Sequence, residues 1–476
     1  MTILPFERAA GRSASRPFVH RGYPLIGALP QVRRNPLRFF VQLANLSDVV
    51  LIDLGLDKIL MLNEPAHIKH VLQDNHENYH KSKFYRPLKP IFGDGIITAE
   101  DDAWLHQRLA TAKSFHGPYI RQMTSDMTEA IFDMLRRWEC HDQQKGSYLE
   151  ISSEMAHVTL DILCRTLFGV RLTDEHRVVY DALTTVLREA ERRIWAVLPI
   201  PTWIPTPHNL QARQAVQVLE SFVERVIAER IRAPMSKENL ISILIETEGS
   251  GLPGGGHPKL LRDQMLTFLM AGHETTANGL AWTWYLLSKN PLVGRRIKEE
   301  IERTLGDRVP SFDDLQHLTY TKMVFEEALR LMPPVWTISR CAVNDDSIDG
   351  IEIPKGTSIM ISPYAVHRRA DLWPNPEGFD PERFAPGSEK HRPRYAYIPF
   401  GGGPRTCLGN RFAATEAMLV LVLVLQRYDL DLVPGYHVEP EPMITLRPRN
   451  GIMIHLRDRH FRHAQMPSEM PQFAVA

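Results

Sequence analysis

Cysteine is scarce in this 476-residue chain: there are four, Cys140, Cys164, Cys341 and Cys407. None stands in a Cys-x-x-Cys pair or a paired framework, which excludes a disulfide scaffold and suits a reducing compartment. Net charge is also lacking, since Lys+Arg and Asp+Glu both total 56. A nucleic-acid-binding role, which needs a basic footprint, is thereby disfavoured. The stretch Met1 to Val19 is polar and mixed, with neither a signal-peptide core nor a run of about 20 apolar residues, and this predicts a soluble protein without a membrane anchor. No internal repeat is evident. The glycines of Gly249 to Gly256 lack the strand and helix context of a dinucleotide site and read as a flexible link. His273-Glu274 does not open a zinc-protease His-Glu-x-x-His, because the fifth residue is Ala277.

What the chain does have is a glycine-rich turn with one cysteine at its end. Phe400 to Gly409 reads Phe-Gly-Gly-Gly-Pro-Arg-Thr-Cys-Leu-Gly, followed by an apolar segment that predicts a helix over Leu408 to Gln426. Glycines let the backbone fold tightly beneath a flat ligand, and a helix N-terminus offers positive potential. Both effects favour Cys407 as a metal-binding thiolate.

Three further patterns lie upstream. Leu260 to Ser288 predicts one long central helix bounded by His257-Pro258 and Asn290-Pro291, long enough at ~1.5 Å per residue to cross a domain. In its middle Ala271-Gly272-His273-Glu274-Thr275-Thr276 places a small pair, an acid and two hydroxyls in an apolar run, where glycine and threonine favour a local opening. Glu327-Ala328-Leu329-Arg330 puts acid and base on one face of a helix that starts near Tyr320 and stops at Pro333-Pro334. Trp104-x-x-x-Arg108 stacks two side chains on one helical face; His106 is out of register with them and reads as surface. Around these lies a small β portion: Val49 to Leu54 and Lys58 to Leu62 predict a hairpin, and Ile348-Asp349-Gly350-Ile351 and Pro354-Lys355-Gly356-Thr357 mark further turns.

Taken in order, these motifs resemble those of the cytochrome P-450 family, and the resemblance runs from Trp104 to Gly409. It implies a mainly α fold with a small β portion: one large haem domain over residues 20–457, a flexible segment at 1–19 and a flexible tail at 458–476. It implies haem b (iron protoporphyrin IX) with Cys407 as axial ligand, on the bed of Phe400 and Gly401. Such a thiolate pushes electron density toward oxygen and favours O–O cleavage. Glu274 and Thr275 resemble the family's acid and alcohol for proton delivery. Glu327, Arg330 and Arg383, from Pro381-Glu382-Arg383-Phe384, resemble its structural brace. Trp104, Arg108, Arg340 and Arg405 resemble the residues facing the haem propionates, for which arginine's planar fork is suited.

The same resemblance draws the substrate pocket from Phe84 to Ile97, Val335 to Ile338 and Met443 to Leu446, with Phe268, Leu269, Ala271, Val335, Trp336 and Ile444 as its named walls. The proline-rich loop Trp195 to Pro207 reads either as packed loop or as a mobile roof. The implied reaction inserts one atom of O2 into a small apolar molecule by hydroxylation or epoxidation. Electrons come from a separate ferredoxin or flavodoxin with its NAD(P)H reductase, docked on a basic patch of Lys390, His391, Arg392, Arg394 and Arg411. A peroxygenase, a rearranging enzyme and a non-catalytic haem sensor stand as alternatives. Absence of the anchor carried by microsomal relatives implies a bacterial cytoplasmic enzyme.

Overall fold

The segment Pro258–Lys289 is apolar on nearly every side, and it forms a 32-residue helix buried along most of its length, the axis of the molecule. At ~1.5 Å per residue that is ~48 Å of rod, and a helix apolar all round must be sheathed by others. The computed structural model describes residues 16–55, 57–142, 148–172, 176–194, 200–233, 239–248 and 258–459. Helices Ile151–Leu163, Thr319–Leu331, Asn410–Arg427 and Pro207–Arg232 pack against the central one. Gly272 and Gly279 permit the closest approaches: a Cβ on Gly272 would overlap Leu163, and one on Gly279 would stand 3.4 Å from Leu329. In Asn410–Arg427 every residue from Thr415 to Leu425 is buried, so this helix too is core.

The β portion is a six-stranded sheet in the order Phe18–His20, Val49–Asp53, Lys58–Leu62, Ser358–Ile361, Ile338–Ala342, Tyr79–Lys81. The expected hairpin pairs antiparallel, with Leu51 opposite Leu60. At the far edge Lys81 stands opposite Arg340. Asp346–Ile348 and Ile351–Ile353 form a second hairpin whose turn residues Asp349 and Gly350 both have positive φ, 49° and 76°, the backbone that an Asp-Gly turn provides. Tyr428–Leu432, Met453–Asp458 and Tyr148–Glu150 form a separate three-stranded sheet.

Several boundaries shift from their sequence positions. Phe18 and Val19, expected in the leading segment, pair with Val50 and Leu51, and Asp458, expected in the tail, pairs with Tyr428. The central helix runs without a break past Gly272, so the expected opening there is absent; glycine serves close packing instead. The link 249–256, the first half of the loop 195–207 and the tail from 460 fall outside the described residues. Among the described residues no helix is long and apolar enough to cross a membrane.

Candidate active site

Between the central helix and the cysteine loop lies a cavity of about 340 Å³. Residues at helical spacing, Phe268, Ala271, Gly272, Thr275 and Thr276, form one wall, and Phe400, Gly401, Gly402, Cys407 and Leu408 form the other. Its size falls in the range of small-molecule sites, roughly 300–1,000 Å³. A wider groove of about 820 Å³ runs along the surface past Lys58, Lys83, Arg86 and Lys355, but neither Cys407 nor the central helix contributes to it.

The cysteine loop owes its shape to glycine. Gly401 and Gly403 have φ of 73° and 67°, and a Cβ on Gly403 would overlap the Leu72 carbonyl. The turn closes with the Cys407 amide donating to the Phe400 carbonyl at 3.0 Å. Cys407 is reached by solvent from the cavity, yet protein encloses it closely. Burial pushes its thiol up, while the Gly409 amide and the Arg108 guanidinium pull it back. The helix begins only at Asn410, three residues on, so the polypeptide by itself favours the thiol, contrary to expectation. A coordinated metal ion deprotonates a thiol outright and reverses that balance.

One end of the cavity is strongly cationic. Arg108 donates to the Thr406 carbonyl at 2.7 Å, Arg340 lies buried on its strand, and Arg405 lies over the Trp104 ring at 4.5 Å while pairing with Glu100. Arg405 Nε and Nη1 are buried without hydrogen-bond partners. Such orphaned donors call for an anion. Lys81, which no motif marked, joins them: its Nζ donates to the carbonyls of Ile96, at 3.3 Å, and Ala99, and burial lowers its pKa to about 7 against the pull of Glu100. Apolar walls, one thiol and a cluster of arginines with unpaired donors fit a flat macrocycle bearing two carboxylates, as haem does.

Thr275 lines this cavity, its hydroxyl donating to the Ala271 carbonyl at 2.8 Å. Glu274 does not. It opens onto a second cavity of about 220 Å³ behind the helix, with Tyr180, Arg188, Arg447 and Arg449. There its Oε2 is buried without a partner, and burial raises its pKa against the pull of Thr445 and Arg447. A second acid, Glu416, is fully buried beside Thr276, and burial holds it well above the carboxylate range.

Glu327, Arg330 and Arg383 come together away from the cavity. Arg330 grips Glu327 at two points, 2.6 and 2.7 Å, and spends its remaining donors on the carbonyls of His367, Pro376 and Gly378. Arg383 approaches the same carboxylate at 3.4 Å.

Of the named pocket walls, Phe268, Ala271 and Val335 line the cavity, with Tyr85, Ile96, Ile97 and Ile338 beside them. Three named residues are absent from it. Leu269, turned about 100° from Phe268 by the helix, is wholly buried in the main core. Trp336 stacks on Phe40 at 6.0 Å and donates to the Met443 carbonyl at 2.6 Å, in the core beside the sheet. Ile444 packs against the main core. His106, read as surface, is exposed but stands 3.3 Å from buried Glu248. In the basic patch Arg392 is not available for docking. Its guanidinium lies 4.4 Å from the Phe384 ring and 4.7 Å from Trp373, and donates to the Arg383 carbonyl at 2.6 Å.

Comparison with known proteins matches residues 17–455 to the family model described as Cytochrome P450. Over 412 residues the chain is 33% identical to "Putative cytochrome P450 132" of Mycobacterium tuberculosis, covering 83% of this chain and 87% of that protein. It is 30% identical over 446 residues to "Cyclooctatin synthase" of Streptomyces melanosporofaciens, covering 92% and 96%. With "Pentalenene oxygenase" of Streptomyces avermitilis it shares 30% identity over 439 residues, again covering 92% and 96%.

Proposed function

The chain belongs to the cytochrome P450 family and is a haem monooxygenase, and from that premise we propose that Cys407 holds haem b for oxygen insertion into a compact, apolar polycyclic molecule of terpenoid type. The observation that carries this reading is a single cavity with Cys407 on one wall and Thr275 on the facing one. Haem, when bound, supplies the centre at which O2 is activated. Arg108, Arg340 and Arg405 would hold its carboxylates, and the orphaned donors of Arg405 support that role.

The chain's own residues do the rest. Phe268, Ile96, Ile97, Val335 and Ile338 offer an apolar surface that excludes water and orients a hydrocarbon. Thr275 lines that cavity, and its hydroxyl, which donates to the Ala271 carbonyl, would pass a proton into the cavity on turning away from that carbonyl. Glu274 stands in the second cavity on the far side of the helix, where burial raises its pKa and favours a held proton. A terpenoid substrate is supported by the apolar walls and by the names of two relatives, a pentalenene oxygenase and a cyclooctatin synthase. Electrons come from a ferredoxin or flavodoxin with its NAD(P)H reductase. The test is turnover of pentalenene under ¹⁸O₂ with such a donor: one labelled oxygen in the product supports the reading, and unlabelled or absent product contradicts it.

A further inference from the structure

The roof of the main cavity is an irregular loop, residues 93–99, which carries Ile96 and Ile97 into the wall. Loops of this kind are ordinarily the mobile part of a fold. This one is fastened by buried polar side chains that all reach its backbone. Asp263, on the first turns of the central helix and 1% exposed, accepts the Asp94 amide at 2.9 Å. Gln264, wholly buried, is 3.4 Å from the Ile96 amide. Gln107 donates to the Asp94 carbonyl at 2.9 Å, and Lys81 donates to those of Ile96 and Ala99, closing the loop from the strand side.

The loop sequence is shaped to this clamp. Gly93 has φ of 53°, and a Cβ there would overlap the Asp263 carboxylate; a Cβ on Gly95 would overlap Thr267 Oγ1. Arg262 at 3.2 Å and Lys259 at 3.7 Å balance the buried charge, and Lys259 also reaches Asp94 at 2.8 Å. Burying polar side chains is costly unless each is used. Here their common product is a fixed position for two isoleucines.

We propose that Asp263 is a positioning residue for substrate selection: through the Asp94 amide it fixes the loop 93–99 so that Ile96 and Ile97 form a rigid apolar roof. A preformed roof favours a compact, rigid hydrocarbon, which fills it without ordering either partner. The inference rests on the monooxygenase reading of the cavity and assigns it a source of shape discrimination.

The experiment titrates the haem-loaded protein with imidazole and with 4-phenylimidazole, following the haem absorption shift. Imidazole has no apolar body to press on the roof, so the ratio of the two affinities reports the roof and cancels changes in haem content. Asp263→Ala is expected to lower the preference for 4-phenylimidazole by roughly tenfold, and Asp263→Asn, which keeps an acceptor for the Asp94 amide, to restore most of it. Ile96→Ala should lower it similarly, and the double variant should fall short of the sum, as for coupled sites. A ratio within about twofold of wild type in Asp263→Ala, or additive effects in the double variant, overturns the proposal. If Asp263→Ala loads no haem, Gln264→Met takes its place, with the same fall expected and an unchanged ratio equally fatal. Absence of a thiolate band in the unaltered protein would instead sink the functional reading.

Discussion

Thr275 illustrates how a residue's identity and its direction are separate facts. A threonine bonded back to its own helix, as Thr275 is to Ala271, is often satisfied and nothing more. Its place on the wall facing Cys407 distinguishes it. Thr275→Ala should keep the fold to within about 1 kcal/mol, because the lost bond is local. Product formed per NADH consumed should fall by roughly tenfold while peroxide rises, since proton delivery loses its hydroxyl; a wild-type ratio would make the threonine merely structural. Side-chain types in the motifs were legible, but directions were not. Leu269, one step from Phe268, turns into the core, and Trp336, one step from Val335, joins the cluster beside the sheet. Arg392 reads as one more surface charge, yet three aromatic rings enclose it.

At the scale of elements, the hairpin of Asp346–Ile348 and Ile351–Ile353 is pinned by charge. Burial would raise the Asp346 carboxyl, but hydrogen bonds from Tyr79, His70, the Ser347 amide and Asn75 outweigh it and hold the pKa at about 2. That lies below the unfolded value of about 4, so the stabilisation is fully present above that pH and is lost as pH falls toward 2. Asp346→Asn should therefore cost about 2 kcal/mol at neutral pH, with the gap to wild type narrowing between about pH 5 and pH 2. Thermal unfolding at a series of pH values checks this, and a pH-independent gap contradicts it. The central helix was legible because its apolar run is long and bounded by prolines. The helix stays closed at Gly272, because Leu163 occupies the space that a side chain there would take. The roof clamp left no trace in the sequence, because Asp94 and Asp263 stand 169 residues apart and only the fold joins them.

For the whole molecule, zero net charge conceals a local asymmetry. Lys390, His391, Arg394 and Arg411 are exposed near the cysteine loop, while Arg392 serves the fold. Replacing Lys390 and Arg394 with glutamine should slow reduction by a ferredoxin at low salt and flatten its salt dependence, since exposed charges are screened beyond about 8 Å at physiological ionic strength. Arg392→Gln should instead lower thermal stability by about 1–3 kcal/mol through the lost ring contacts and hydrogen bond. Equal salt slopes in the double variant and wild type, by stopped-flow, would remove this face as the docking surface. The account as a whole turns on Cys407, and the absorption spectrum of the reduced carbon monoxide complex tests it most directly. Wild type should show the far red-shifted band of a thiolate-ligated haem. Cys407→His should keep some haem and lose that band, because neutral imidazole cannot donate as anionic sulfur does. An unchanged band in the variant would contradict the assignment.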